Sequence, residues 1–401
     1  MKIKIITDVT LIDGTGEDPV NNAAVLIDRE GKIAACGCKD EVYEAVINQS
    51  LEVEEISCPG KTLLPGLIDA HVHLCFEPCA DPFAVLGKER DARTALKAVR
   101  HARQTLLSGV TILRDMGGKN YVDLDLRNAL AKGEATGPTM LASGKLITMT
   151  GGHGWPVGEE VDGVDQARKG ARKQLKEGVD IVKIMATGGV MTEGVETGSP
   201  QLTEKEIRAA VEEAHKAGKR TAAHAQGAAG IKNALRAGID SIEHGMILNE
   251  EAVEMMKERG VCLVPTLAAP YCISEKGRDA GVPEYMLEKS DAIRKTHIES
   301  FKMACRAGVS IAMGTDAGTP FNYHGQNGFE LVLMVEYGMS PLEAVKAGTL
   351  QSARLLGISD TTGTVFPGKY ADLLILNGDP LADIRNIQNV YRVYQKGVEV
   401  S

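Results

Sequence analysis

One pattern recurs through the middle of the chain: an amphipathic helix, then a glycine, then a strand rich in β-branched residues. Glycine readily adopts the left-handed backbone conformation at which helices end, so each such glycine marks a joint between helix and strand. Two helix starts are also marked, by the capping boxes Thr203–Glu206 and Ser340–Glu343. The joints lie at Gly109, Gly178, Gly218, Gly238, Gly260 and Gly308. The middle of the chain is therefore predicted to alternate helix and strand.

Two further apolar runs, Leu63–Ile68 and Pro138–Ser143, bring the number of predicted parallel strands to eight. Eight strand-helix units are the number that closes a (β/α)8 barrel. An open, doubly wound sheet is the alternative, but the first strand is not followed by the Gly-x-Gly-x-x-Gly turn of dinucleotide-binding sheets. We therefore predict the α/β fold class, with a TIM-type (β/α)8 barrel over residues 61–359.

Both ends of the chain have a different pattern of short strands and turns. Strands are predicted at Lys2–Ile6, Ala24–Ile27 and Tyr370–Leu376, and a helix is indicated only around Glu41–Asn48. Because two strand-rich ends flank a helical middle, residues 1–60 and 360–401 are predicted to form one small β-sandwich domain.

The amino-acid composition limits the kinds of molecule that the protein is expected to bind. The 401 residues are 43% hydrophobic, enough for one large domain with a smaller companion. The formal net charge of −9 argues against nucleic acid or an anionic membrane as the main partner. No stretch approaches the roughly 18 to 20 apolar residues of a membrane helix. The eight cysteines include no CxxC pair, as is typical of free thiols in a reducing compartment. We expect a cytoplasmic homo-oligomer that binds a small molecule.

Residues that can bind metal follow the ends of five predicted strands. His71 and His73 come first, and they lie on one side of an extended segment because alternate side chains of a strand point the same way. The C-terminal strand ends of a (β/α)8 barrel meet at one face, where active sites lie. Cys75 and Cys79 are weaker candidates near by. The remaining strand ends contribute Lys183, His224, His244 and Asp316.

Together with Pro65–Asp69 and Pro367–Leu373, these residues resemble the amidohydrolase superfamily over nearly the whole chain. The resemblance implies that CO2 carboxylates Lys183 and that the resulting carbamate bridges two divalent ions. By the same resemblance, one ion would be bound by His71, His73 and Asp316, and the other by His224 and His244. Imidazole and carboxylate ligands favour zinc, with manganese, cobalt or iron as alternatives. A single-ion site without Lys183 remains open.

The resemblance also implies a mechanism. Two cations roughly 3.5–4 Å apart lower the pKa of a bridging water, and one of them polarises the scissile carbonyl. Asp316 would accept the proton of the water and pass it to the leaving amine. His153, beyond the third strand, would hydrogen-bond the substrate carbonyl or the oxyanion, unless it is a loop histidine satisfied by backbone. Glu243 is expected to serve packing or hydrogen bonds to a ligand.

Three sequence segments are similar to those of the prolidase-like and Xaa-Arg dipeptidase-like branch of the superfamily, which is related to imidazolonepropionase. That branch hydrolyses Xaa-Pro or Xaa-Arg/Lys dipeptides and N-acyl amino acids, and includes relatives that cleave the amide of ochratoxin. Proline-specific members tend to have a tyrosine where this chain has Gln226, so proline specificity is not implied. The segments are Met149–Gly154, Lys183–Gly189 and His324–Leu331.

Four residues are predicted to contact the substrate: Gln226, Tyr271, Arg114 and His324. Arg114 is equally suited to a structural ion pair with a neighbour. The leading function is a metal-dependent hydrolase that cleaves the amide bond of dipeptides or N-acyl amino acids. A cyclic-amide hydrolase or deaminase similar to imidazolonepropionase, often with one ion, is the alternative. A metal-binding protein without catalysis is disfavoured because Asp316 and Lys183 are both present.

Overall fold

The computed structural model describes residues 2–48 and 52–400. Residues 1, 49–51 and 401, which belong to the predicted terminal domain, lie outside the described residues. The strands, numbered in chain order, are β1 (Lys4–Leu11), β2 (Val20–Ile27), β3 (Ile33–Cys38), β4 (Glu54–Pro65), β5 (Leu67–Val72), β6 (Val110–Asp115), β7 (Thr139–Ala142), β8 (Leu146–Thr148), β9 (Gly158–Glu160), β10 (Ile181–Met185), β11 (Arg220–Gly227), β12 (Ser241–Ile247), β13 (Cys262–Val264), β14 (Leu373–Leu376), β15 (Val390–Gln395) and β16 (Val398–Glu399).

Helices separate most of the strands in the middle of the chain. None of the helices in the described ranges is both long and apolar enough to cross a membrane. The α-helices are α1 (Lys39–Asn48), α2 (Pro82–Lys88), α3 (Asp91–Leu107), α4 (Val122–Ala131), α5 (Val164–Glu177), α6 (Glu204–Lys216), α7 (Ala228–Ala237), α8 (Glu250–Arg259), α9 (Ala268–Gly277), α10 (Glu284–Ala307), α11 (Phe329–Glu336), α12 (Pro341–Lys346) and α13 (Ser352–Leu356).

The helix boundaries confirm the helix starts and ends predicted from the sequence. Thr203 and Ser340 cap α6 and α12, and each forms a complete capping box. Four helices, α5, α7, α8 and α10, end on a glycine in the left-handed conformation. Gly109 and Gly218 follow the caps of α3 and α6 by one residue, with φ of 95° and 67°. Each glycine therefore turns the chain from a helix toward the next strand.

Parallel strands form two sheets, with the orders β5-β6-β7 and β13-β12-β11-β10-β8-β9. Hydrogen bonds also join these strands to neighbouring segments. Asp180 N donates to Ala142 O at 2.9 Å, and Asp316 N donates to His71 O at 2.7 Å. Every residue of β5 and β6 is buried, as expected for parallel strands covered on both faces. The fold is therefore α/β with parallel sheets.

Strands from both ends of the chain share one mixed sheet, in the order β16-β15-β14-β4-β1-β2-β3. The strands of the predicted small domain are thus hydrogen-bonded into one sheet in the described part of the chain. Its ladder shifts register between Thr7 and Val9 of β1, an irregularity that bends a sheet. Hydrogen bonds from Ile33 N to Lys369 O (2.8 Å) and from Gly397 N to Ala371 O (2.9 Å) link segments beside this sheet.

The apolar run Leu63–Ile68, predicted as one strand, is divided between two sheets. Leu63 and Leu64 belong to β4 of the mixed sheet, whereas Leu67 and Ile68 begin β5 of a parallel sheet. Gly66 joins the two strands, and a Cβ atom there would lie 2.2 Å from Thr111 Oγ1. Only glycine permits so close an approach, which carries the chain from the mixed sheet into the strand that bears the first histidine.

Candidate metal centre

All the metal ligands predicted from the sequence line one cavity. They come from β5, β10, β11, β12 and the segment that hydrogen-bonds to β5, and each is almost fully buried. The imidazole centroids of His71 and His244 are 5.1 Å apart, and those of His224 and His244 are 4.6 Å apart. The set consists of His71, His73, Lys183, His224, His244 and Asp316.

Within this set, hydrogen-bond acceptors face each other. The carbonyl of Gly117 can only accept, so His73 has a proton on Nδ1, 2.9 Å away, and in the neutral ring Nε2 carries a lone pair. That Nε2 lies 3.3 Å from Asp316 Oδ1, and Nε2 of His71 lies 3.4 Å from the same oxygen. The ligand atoms of His71, His244 and Asp316 all lie within 4.8 Å of one another. Such facing lone pairs repel unless a proton or a cation lies between them, so the donor set fits a divalent metal ion.

Hydrogen bonds at the Nδ1 atoms orient the imidazole rings of the candidate ligands. His71 Nδ1 lies 2.7 Å from Glu243 Oε2, and His244 Nδ1 lies 2.7 Å from Thr266 Oγ1. Arg114 holds Glu243 in turn, with 2.9 Å between Nη2 and Oε1. Glu243 thus makes the kind of hydrogen bond to a ligand that the sequence predicts for it. Metal-binding histidines commonly use their second nitrogen in this way, which fixes the ring and its tautomer.

Two of the candidate ligands have an uncommon backbone conformation. His244 and Asp316 have φ of 73° and 58°, in the left-handed region that most side chains avoid. Residues held there cost on the order of 1–3 kcal/mol each, and they cluster at functional sites. Thr266, the hydrogen-bond partner of His244, also has a positive φ of 53°. Three of the nine non-glycine residues with positive φ in the described part of the chain therefore lie at the candidate ligands or bond to one.

Burial sets the charge state of the centre. It lowers the pKa of Lys183 to about 8, and Nζ has no hydrogen-bond partner among the described residues. Burial also holds the pKa values of His71, His224 and His244 well below the usual histidine value, which keeps the imidazoles neutral and able to bind metal. A buried amine without a partner fits carbamate formation, because the neutral amine is the form that reacts with CO2.

Two other predicted site residues also line this cavity. His153 Nδ1 lies 2.8 Å from Thr192 Oγ1, and its ring centroid is 4.4 Å from that of His224. Burial lowers the pKa of His153 to about 3, so its imidazole is neutral. Gln226 is only 3% exposed, and its Oε1 has no hydrogen-bond partner in the described part of the chain.

The structure does not bring the other three predicted substrate contacts to the cavity wall. Arg114 is committed to the buried ion pair described above, and its Nε donates to Ala70 O at 2.5 Å. Tyr271 packs edge-on against Phe329, with ring centroids 5.1 Å apart. His324 stacks on His101 at 4.2 Å. These side chains are occupied by partners from distant parts of the sequence.

The sequence pattern does not indicate the threonines that bond the cavity histidines. Thr192 and Thr266 lie in loops, and a loop threonine has no periodic signature. The aromatic wall formed by Phe76 and Phe83 was also missed. Phe76 stacks on the imidazole of His73 at 4.8 Å and could have been suspected from its place three residues later.

A model of the amidohydrolase family matches residues 62–400. The chain belongs to this family. It is 31% identical to ochratoxinase of Aspergillus niger, over 96% of this chain and 84% of that protein. It is 26% identical to imidazolonepropionase of Desulfotalea psychrophila, over 94% of this chain and 92% of that protein.

A solved structure of a Xaa-Pro dipeptidase with bound methionine has a TM-score of 0.91 to this chain, with 34% identity and full coverage of both chains. A solved structure of a prolidase complexed with N-methylphosphonate-L-proline has a TM-score of 0.90 and 28% identity to this chain, and the match covers both whole chains. These comparisons confirm the resemblance stated from the sequence. The protein is a hydrolytic enzyme of the amidohydrolase family.

Proposed function

We propose that the enzyme is a metal-dependent hydrolase of the amide bond in dipeptides or N-acyl amino acids. The observation that carries this proposal is the meeting of His71, His73 and Asp316, whose acceptor atoms face one another at the wall of a buried cavity. The likeness to proteins named ochratoxinase and Xaa-Pro dipeptidase supports amide cleavage. We take the substrate to be a small molecule, because the candidate ligands line a buried, largely apolar cavity with a few polar side chains.

The same residues support two divalent ions. His71, His73 and Asp316 would hold one ion, His224 and His244 would hold the other, and Lys183, as a carbamate, would supply oxygen donors to the centre. Zinc is favoured by the imidazole and carboxylate donors. When bound, divalent cations polarise a carbonyl and make water more acidic. Detection of a carbamate resonance after incubation with carbon-13 bicarbonate, absent from Lys183→Ala, tests the role of the lysine.

Two residues of the chain move or hold protons in this proposal. Asp316 accepts the proton of the attacking water and delivers it to the leaving amine. His153 donates from Nε2 to the substrate carbonyl as negative charge develops on its oxygen. Thr192 makes this possible: its Oγ1 accepts from Gly154 N at 3.4 Å and lies 2.8 Å from His153 Nδ1, toward which its hydroxyl proton can point. The proton of the ring is then on Nε2.

The finer fold assignment is also part of this proposal. The hydrogen bonds between Asp180 and Ala142, and between Asp316 and His71, support closure of the parallel sheets into a (β/α)8 barrel over residues 61–359. We propose that residues 1–60 and 360–401 form the companion domain. Free thiols at all eight cysteines support a cytoplasmic location, and a homo-oligomer stays a prediction.

Asp316→Asn tests the assigned proton transfer. Asparagine tolerates a positive φ, so the backbone at this position is retained. We expect metal to remain bound in elemental analysis while turnover falls by about 1,000-fold or more. The control is Asp165→Asn, because Asp165 is an exposed acid in the first turn of α5. We expect this control to leave metal binding and turnover unchanged. Undiminished turnover by Asp316→Asn would contradict the proposal.

The second candidate is a cyclic-amide hydrolase or deaminase. It is supported by the likeness to imidazolonepropionase and by the compact group of His71, His244 and Asp316, which suits one ion. A metal-loaded enzyme with two ions per chain that cleaves N-acyl amino acids favours the first function. One ion, together with hydrolysis of a cyclic amide or amidine and no linear amide cleavage, favours the second.

A further inference from the structure

The cavity is lined by an apolar wall outside the candidate ligands. Its larger side chains include Phe76, Phe83, Met185, Met191, Met246 and Ile273, and its other polar members are His153, Gln226 and Thr319. Methionine and phenylalanine gain free energy by covering apolar ligand surface, and methionine adapts to ligand shape. The wall therefore favours a bulky apolar group in the substrate.

Outside the candidate metal centre, the described residues of this wall include no ammonium or guanidinium group. Lys183 is the only lysine or arginine among the described residues that line the cavity, and it belongs to the candidate metal centre. Arg114 is held in its buried ion pair with Glu243. Lys289 lies above the loop that carries Met191, but its Nζ donates to the carbonyls of Thr192 at 2.7 Å and Val195 at 2.5 Å.

The uncharged polar members of the wall differ in what they can still bind. Thr319 Oγ1 donates to Asp316 O at 2.8 Å and is already satisfied. Gln226 has an unpartnered Oε1, and its amide can either donate to or accept from a ligand. A substrate amide can pair with Gln226 without any charge. A carboxylate or a lysine side chain, in contrast, would enter an apolar space without an opposite charge from the protein wall, which is unfavourable.

We propose, resting on the amide hydrolysis above, that the substrates are amides with a bulky, uncharged apolar group and that a free carboxylate is not required for recognition. The enzyme then accepts N-acyl amines as well as N-acyl amino acids. Gln226 supplies a neutral hydrogen bond, and the apolar wall supplies most of the selectivity. This differs from a dipeptidase that holds its substrate by the terminal carboxylate.

Two matched substrate pairs test the proposal with the metal-loaded enzyme. N-benzoyl-phenylalanine and N-benzoyl-2-phenylethylamine differ only in the carboxylate, and we expect kcat/KM values within about tenfold of each other. N-benzoyl-leucine and N-benzoyl-lysine differ in side-chain charge, and we expect a preference of about 100-fold for leucine. A loss of more than about 100-fold on removing the carboxylate, or equal use of lysine and leucine, would overturn the proposal.

A positive charge introduced into the cavity wall should create a preference for substrates that have a free carboxylate. Met191→Arg places a guanidinium at a side chain that is 9% exposed and lines the cavity. We expect this variant to favour N-benzoyl-phenylalanine over N-benzoyl-2-phenylethylamine by about tenfold more than the parent enzyme does. Met191→Leu is the control that keeps the parent ratio. An unchanged ratio in a folded Met191→Arg variant would count against an uncharged wall.

Failure of this inference differs from failure of the proposed function. If no amide is cleaved, the hydrolase proposal fails, and the same pairs are then compared by calorimetric binding to the metal-loaded protein. Equal affinity within the carboxylate pair still supports an uncharged wall, whereas binding of only the carboxylate-bearing member rejects it. If amides are cleaved but the carboxylate is essential, the hydrolase proposal stands and this inference falls.

Discussion

At the scale of single residues, Thr192 is placed to decide the tautomer of His153. Its oxygen accepts from the backbone of Gly154 at 3.4 Å and lies 2.8 Å from His153 Nδ1, so its hydroxyl proton can be donated to that nitrogen. A neutral imidazole has one proton, and a proton held on Nε2 is the one that can reach a substrate carbonyl. Thr192 is therefore a positioning residue rather than a catalytic one.

Removing the hydroxyl of Thr192 should release this constraint. In Thr192→Val, Nδ1 of His153 loses its partner, and we expect kcat to fall by about tenfold with a smaller change in KM. Thr192→Ser keeps the hydroxyl and should restore kcat, which a merely structural role of the methyl group would not predict. Nitrogen-15 NMR of the imidazole reports the tautomer directly. Parent-like kcat in Thr192→Val would contradict the assignment.

The candidate ligands predicted from the sequence lie together in the fold, whereas three of the predicted substrate contacts lie outside the cavity wall, for a physical reason. His71, His224 and Asp316 follow apolar runs, and the end of a buried strand is a local property that a sequence displays. Whether Arg114 faces the cavity depends on Glu243, a residue far away in the sequence that occupies its guanidinium. His324 likewise stacks on His101 of α3. Partners chosen by the fold are not visible in a one-dimensional pattern.

At the scale of elements, the ion pair of Arg114 and Glu243 joins β6 to β12. Both side chains are almost fully buried, and Glu243 also bonds the ring of His71. Glu243→Gln leaves the guanidinium in the interior without a counter-charge, so we expect the free energy of unfolding to fall by about 3–5 kcal/mol. Metal affinity should also fall by about 10- to 100-fold, because the ring of His71 loses its carboxylate.

Urea unfolding and metal titration of Glu243→Gln measure these two effects separately. Glu251→Gln, at an exposed pair with Lys232 on the surface, is the control and should change stability by less than about 1 kcal/mol. If Glu243→Gln were as stable as the parent protein, the pair would not be what holds the two strands together.

A second contact between elements predicts a pH dependence of stability. Hydrogen bonds from Arg172 and Arg168 of α5 lower the pKa of Glu213 on α6 to about 2. The ordinary value of 4.5 applies in the unfolded chain. The carboxylate therefore contributes stability that is fully present above pH 4.5 and is lost as the pH falls toward 2. Glu213→Gln should flatten this part of the stability curve.

Chemical unfolding across that pH range provides the measurement. Glu212→Gln serves as the matched control, because Glu212 is on the same helix and pairs with Arg168 but is far more exposed to solvent, which screens the pair. The control should keep a steeper loss of stability in acid than Glu213→Gln does. Identical curves for the parent protein and Glu213→Gln would show that the pair does not link the two helices.

At the scale of the whole molecule, the alternation of helix and strand was predictable because glycines and capping boxes mark each joint. The passage of the chain from the mixed sheet to a parallel sheet at Gly66 was not predictable. Leu63–Ile68 is one continuous apolar run in the sequence, yet the two halves pair with strands that are far apart in the chain. An apolar run reports burial but not the partner against which it is buried.

Metal removal should destabilise the entire fold, because candidate ligands join β5, β11 and β12 to the segment around Asp316. Without a cation, the Nε2 atoms of His71 and His73 lie 3.4 and 3.3 Å from Asp316 Oδ1, and the neutral ring of His71 turns a lone pair toward that oxygen. A ligand that binds only the folded state at 100 times its Kd stabilises that state by about 2.7 kcal/mol, so Tm should rise with zinc concentration and fall after chelation. The double variant His71→Asn, His73→Asn should lose this response. A Tm that is independent of zinc in the parent protein would reject a metal centre that spans these strands.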